Sequence, residues 1–331
     1  MNLLLTAAIA GLSFSSHPSP GQDDELLIAC SAPLGDRPER AILSIAEEEM
    51  PDERLAILRV TVKGSGAFMR VYHDAASERI ARARAACLGE QIAALSRIIG
   101  DGRRDAEWSS VVFTQDADYV PPRGAGVTTR WTIEVAPDGT LGELAHRMLV
   151  STMPHEQVHG WQRRNDTSLP RWLAEGHASW IASKIAPSLD PVVAARVRRE
   201  DQRSLTRVER PIDLAAWGSV RPKREALLRQ VSPEDRARME ADPDYSPSGS
   251  FSFTSDDFEV DMSNEVASYP LAEAVFAGLE DRHGAAAVHA WMSEITSAAG
   301  RLDETALSTS LARHFDERPS DLLAPRPRAR P

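Results

Sequence analysis

The sequence predicts an α+β protein, with a mixed sheet in its first half and a mainly helical second half. Three observations carry this. Residues 54–71 and 108–135 hold short stretches rich in β-branched and aromatic residues, separated by Gly- and Pro-containing turns. Residues 76–99 and much of the chain after 141 space apolar residues three and four apart. The 331 residues, 42% hydrophobic, suffice for one large or two ordinary domains whose core needs no staples.

The chain opens on an apolar run, Leu3 to Phe14, followed by a Ser-, Pro- and Gly-containing stretch to Gly21. A bilayer span needs about 20 apolar residues, so the run is not a transmembrane helix. It fits the middle of a secretory signal with small residues at Ser15–Ser16 for cleavage, although the usual basic residues before it are missing. Residues 1–21 are therefore read as a signal peptide, and the mature chain as periplasmic or secreted. Leu27-Ile28-Ala29-Cys30 has the form of a lipoprotein cleavage site, but Asp23, Asp24 and Glu25 interrupt the apolar run ahead of it and argue against a lipid anchor. Cys30 and Cys87, the two cysteines of the chain, would pair once exported; the alternative is two buried thiols.

Residues 38–50 and 76–99 read as helices, and 54–71 as a strand pair broken at Lys63-Gly64-Ser65-Gly66. Trp108–Thr114 and Thr128–Val135 are further strands, the second closing at Pro137-Asp138-Gly139. Residues 22–140 thus form an N-terminal α+β part, and 141–324 a second, mainly helical part. From Leu141, the positions Leu144, Met148 and Thr152 run in helical register into His155 and His159, which turns both histidines inward. Residues 190–230 read as charged helices with breaks at Pro211 and Pro222, and 241–258 as a long loop, disordered or covering a cleft. The Pro/Arg-alternating tail 325–331 reads as unstructured. A formal charge of −11 argues against nucleic acid and anionic membranes as partners.

The string His155-Glu156-Gln157-Val158-His159 carries the chemistry. Residues four apart on a helix share a face, so both imidazoles can reach one ion. Glu156 sits one step round, where a general base for metal-activated water belongs. Catalytic zinc takes three protein ligands, so one is missing. A pattern with a third His six residues after the second, and Gly three residues after it, is excluded by Asn165 and Gln162. A pattern with Glu on a second helix is met by Glu175, in Leu169-Pro170-Arg171-Trp172-Leu173-Ala174-Glu175-Gly176. Pro170 suits a first helical turn, and Leu173, Trp180 and Ile181 offer an apolar face for packing on the first helix.

With these two segments the chain resembles the gluzincins, specifically the peptidase MA-like group, whose members carry His-Glu-x-x-His and then Pro-x-Trp-Leu-x-Glu-Gly. The resemblance spans roughly residues 130–323, weakly at Ser268-Tyr269-Pro270-Leu271-Ala272 to His283-Gly284 and at Leu311–Phe315. It implies a zincin-like catalytic domain holding one Zn2+ per chain on His155, His159 and Glu175, with Glu156 as general base. It also implies a peptide or protein substrate, an edge strand before the motif helix that receives extended peptide, and Tyr269 as stabiliser of the oxyanion. Two departures stand out. Pro154 would cost about 3 kcal/mol inside a continuous helix, so a fresh start or kink is expected there, with Ser151 or Thr152 as cap. Ser179 stands where thermolysin-like relatives place an Asp against the first histidine.

The rival reading is a non-catalytic zincin-fold protein with a binding or structural zinc; the intact Glu156 and the absence of Cys near the motif argue against it. His177 is expected at the cleft edge or surface, and Trp161, Trp172 and Trp180 are expected to pack the two ligand helices together. His283, His289, Arg163 and Arg164 have no spacing that demands a role.

Overall fold

Alternation between Arg54 and Val71 builds the hairpin at the centre of the sheet. In the computed structural model, which describes residues 43–323 save 51–52, 101–106, 123–127, 209–210, 243–244, 246 and 263, β2 is Ala56–Val62 and β3 is Phe68–His73. They pair antiparallel from Ala56↔His73 to Thr61↔Phe68, across a turn where Gly64 and Gly66 take φ of 93° and 75°, a region open to glycine at little cost. β4 (Ser110–Thr114) adds parallel to β3, and β5 (Arg130–Glu134) parallel to β4. With β1 (Leu43–Glu48) beyond β2, the order β1-β2-β3-β4-β5 leaves β5 as an edge among the described residues, as the sequence suggests.

β1 (Leu43–Glu48) is a correction. The stretch 38–50 reads as helix, yet residues 43–48 pair antiparallel with β2, from Leu43↔Val62 to Glu48↔Ile57; residues 38–42 lie outside those described. The strand is largely exposed, so burial does not choose its conformation. Ladder hydrogen bonds to β2 do, reinforced by charge: Arg70 on β3 reaches Glu48 at 2.9 Å and Glu107 at 2.6 Å, while Glu47 meets Arg82 at 2.6 Å. Sheet pairing overrides the helical propensity of Ala and Glu here.

One face of the sheet packs on α1 (Glu78–Ile99) through Leu58, Val60, Met69 and Val71 against Ile80, Ala85, Leu88 and Ile92. Asp74 ties this layer together: its carboxylate accepts from Ser77 N ahead of the helix, and from Thr114 Oγ1 and Gln115 N beyond β4. Cys87 on α1 is in a disulfide; Cys30, its expected partner, lies outside the described residues, as do the signal segment 1–21 and the tail 325–331.

The second half is helical, giving an α+β chain with a mixed sheet followed by helices. α2 (Glu143–Arg147), a π turn (Met148–Thr152) and α3 (Met153–Gln162) run on from one another. Of the fresh start or kink expected at Pro154, the fresh start is absent: neither Ser151 nor Thr152 caps α3, and Thr152 is itself helical. Instead Met153 N–H bonds to Met148 O, five residues back, widening the turn just where the Pro154 ring would meet the carbonyl of Val150. The extra residue rotates what precedes it, so Leu144 is 71% exposed rather than inward.

α4 (Arg171–Leu189) follows a two-residue strand, β6 (Thr167–Ser168), and α5 (Pro191–Thr206) is capped by Asp190 accepting from Val192 N and Val193 N. β7 (Val220–Pro222), α6 (Arg224–Leu228), α7 (Pro233–Ala241) and β8 (Phe258–Val260) form an outlying unit in which β7 and β8 pair antiparallel. Within 241–258, Tyr245 donates to Asp235 at 2.7 Å and Ser252 N to Gln230 at 2.8 Å, which holds the loop against this unit. α8 (Glu265–His283) lies along α4, and α9 (Ala285–Ile295), β9 (Gly300–Arg301), α10 (Glu304–Phe315) and α11 (Pro319–Leu323) close the core behind them. Among the described residues no helix is long and apolar enough to cross a membrane.

Candidate metal centre

α3 and α4 meet because each turns large apolar side chains toward the other and toward α8. Trp161, Trp172 and Trp180 are all buried; Trp161 packs on His177 of α4, and Trp180 on Phe276 of α8. Gly176 sets the spacing of α4 and α8: a Cβ there would lie 2.7 Å from Ala272 O and 3.0 Å from Phe276. Only a residue without a side chain lets these helices come so close.

On this frame the three expected ligands converge. His155 Nε2 and His159 Nε2 are 3.0 Å apart, and each is 3.0 Å from Glu175 Oε2. Burial opposes charge on Glu175, but the two imidazoles outweigh it and hold its carboxyl far below the ordinary range. For His159, burial pulls the other way and the Glu175 carboxylate prevails, raising the imidazole above its usual value.

The outer atoms of both histidines are engaged. Gln162 Nε2 donates to Ala174 O at 2.8 Å, and a carbonyl can only accept, so the amide orientation is fixed. Gln162 Oε1 then accepts from His159 Nδ1 at 2.8 Å, which in the neutral ring leaves the lone pair on Nε2, the atom that a metal would take. The same Gln162 amide faces His177 Nδ1 at 3.2 Å. Ser179 Oγ lies 3.3 Å from His155 Nδ1 and engages that outer nitrogen.

His177 is a further correction: it is 0% exposed, not at the cleft edge. Its ring packs among Trp161, Trp180 and Phe276 at 5.5–6.0 Å, and burial holds it neutral by pulling its pKa well down. Its angular position on α4 turns it away from the ligands, but toward α8 rather than toward solvent. His283 pairs with Glu317 at 2.7 Å, and Arg164 covers the Trp161 ring, so neither belongs to the site.

Glu156 lines two cavities, one of about 390 Å³ that also reaches His155 and one of about 500 Å³ that reaches His159 and Glu175. Tyr269, on α8, lines both as well, its ring 6.0 Å from that of His155. Burial, with the nearby Glu175 charge, raises the Tyr269 phenol and keeps it protonated. Arg171 joins the site unannounced, with Nη2 3.4 Å from the Tyr269 hydroxyl and 2.9 Å from Glu265 Oε1. Gln162 and Arg171 both had a signal in the sequence, standing three after His159 and four before Glu175 on their helices.

The three converging atoms can hold a metal ion. A proton on one nitrogen can bridge to one neighbour, whereas three mutual contacts of 3.0 Å suit a shared cation. Tetrahedral ligands about 2.0–2.1 Å from zinc stand roughly 3.3 Å apart, close to this triangle. The donors fit zinc in kind too, two imidazoles whose outer nitrogens are engaged and an ionised carboxylate. No protein-family model matches the chain and no curated protein matches it.

Proposed function

We propose that the chain is a zinc-dependent peptidase of the gluzincin, peptidase MA-like kind, with Glu156 as its general base. The observation that carries this reading is the convergence of His155, His159 and Glu175 beside cavities whose walls also hold Glu156 and Tyr269. Among the described residues the group has three members, the number of a catalytic zinc site, whereas structural sites take four and favour cysteine.

Zinc, when bound, supplies a Lewis acid that polarises the substrate carbonyl and acidifies water. Glu156 takes the proton of the attacking water as the new C–O bond forms, then delivers it to the amine as the C–N bond breaks. The protonated Tyr269 phenol donates to the oxygen that gains charge. Gln162 and Ser179 keep the imidazoles oriented throughout. Substrate residues on the two sides of the bond would occupy the two cavities, and the edge of β5, unpaired among the described residues, offers backbone groups to an extended peptide. The disulfide at Cys87 supports the reading of an exported protein, because such bonds persist in oxidising compartments.

Glu156→Gln tests the assignment. The variant is expected to keep one zinc per chain by elemental mass spectrometry and to lose at least about 100-fold in peptide turnover. Undiminished turnover would remove Glu156 as the base.

A further inference from the structure

Arg171 opens α4 four residues before Glu175, and its side chain touches more of the site than the ligand pattern requires. Its stem lies against Gly218, where a Cβ would come within 2.6 Å of Arg171 Cδ, and its guanidinium sits 4.9 Å from the centre of the Trp217 ring. Held there, Nη2 donates to Glu265 Oε1 at 2.9 Å and to the Tyr269 oxygen at 3.4 Å. Nε lies 4.0 Å from Glu175 Oε1, the oxygen turned away from the imidazoles, too far for a hydrogen bond but close for a charge.

One permanent cation therefore acts on a metal-binding carboxylate and on a phenol across the cleft. A phenol oxygen that accepts from a guanidinium has its own proton free to point elsewhere. Tyr269 and Glu156 line one cavity, into which that proton could point. Attraction of Oε1 likewise favours the rotation of Glu175 that presents Oε2 to both histidines.

We propose that Arg171 is a positioning residue that sets the Glu175 carboxylate and the Tyr269 hydroxyl together, coupling metal holding to oxyanion stabilisation. The Tyr269 half rests on the peptidase reading; the Glu175 half needs only the metal group.

Arg171→Met and Arg171→Lys, alone and combined with Tyr269→Phe, test this in the full chain. By chelator competition Arg171→Met should weaken zinc binding about tenfold. With a peptide substrate kcat should fall roughly tenfold to hundredfold while KM barely changes. Adding Arg171→Met to Tyr269→Phe should cost less than about threefold more, because both act through one hydroxyl. Arg171→Lys, which keeps charge without the fork, should recover zinc affinity more fully than kcat. With only four tyrosines in the chain, ¹³Cζ labelling gives a readout free of turnover: the signal absent from Tyr269→Phe should move in Arg171→Met. Unchanged zinc affinity together with an unmoved tyrosine signal would overturn the proposal. A rise in KM alone would make Arg171 a substrate contact instead, and a fully additive double variant would sever it from Tyr269. If zinc-loaded wild type cleaves no peptide, the peptidase reading falls, and zinc affinity and the tyrosine signal still decide what Arg171 positions.

Discussion

Replacing Gln162 by leucine strips a partner from three groups at once, the buried His159 and His177 rings and the half-buried Ala174 carbonyl. The amide meets His159 Nδ1 at 2.8 Å, Ala174 O at 2.8 Å and His177 Nδ1 at 3.2 Å, and at 2% exposure water cannot take its place. The loss at His159 is the functional one. Without an acceptor at Nδ1 the ring can turn, or carry its proton on Nε2, the atom that faces Glu175 and His155. Loss of such an outer partner costs about tenfold to a hundredfold in metal affinity, or about 1.4–2.7 kcal/mol. Gln162→Glu separates this effect from stability. Its carboxylate still accepts from His159, so zinc affinity should stay within about threefold of wild type. It has no N–H for the Ala174 carbonyl, which it then confronts, so the metal-free protein should lose about 2–4 kcal/mol. Competition with a chromophoric chelator measures the first quantity, and thermal melting of metal-free protein the second. A leucine variant that binds zinc as tightly as wild type, or a glutamate variant that loses as much affinity as leucine, would refute the reasoning.

Gly176→Ala would press a methyl group to 2.7 Å from Ala272 O, so α4 and α8 must part. Overpacking of this kind costs about 2 kcal/mol, roughly 4–8 °C in melting temperature, with zinc stoichiometry kept; a melt within 1 °C or so of wild type would show a looser contact than the structure has. Ser179→Ala removes the 3.3 Å partner of His155 and should weaken zinc about threefold to tenfold, less than Gln162→Leu. Ser179→Asp should instead tighten binding, since a carboxylate is the stronger acceptor; weaker binding in that variant would show that the hydroxyl is not the partner of His155 Nδ1.

The sequence made the metal group legible because its information is local. One-turn spacing puts two imidazoles on one helix face, and Trp-Leu-x-Glu-Gly names the helix that answers it. Gln162 is equally local, yet in the sequence it reads only as an argument against a third histidine. Its role depends on Ala174 and His177, which α4 brings from 12 and 15 residues away. His177 was opaque for the opposite reason. Helical geometry turns it off the ligand face, but whether that other side meets solvent or Phe276 is decided by α8, a hundred residues on. The stretch at 43–48 shows the same limit in the sheet: its residues favour a helix, and only an unfilled edge beside β2 makes it a strand.

Pro154 bears on both the core and the metal group. In an unbroken α-helix, Leu144, Met148, His155 and His159 would share one face, and the segment could bury its apolar side or present its histidines, but not turn each to a different neighbour. The missing N–H of Pro154 removes one hydrogen bond, and its ring excludes the regular position of the Val150 carbonyl. The π turn accommodates both and inserts one residue, which rotates the two halves by about 100° relative to each other. Leu149 and Val150 then enter the core and Leu144 turns to solvent, while His155 and His159 face Glu175 on α4. A residue that looks like a defect in the motif helix is thus what allows the same helix to serve the core before it and the metal group after it.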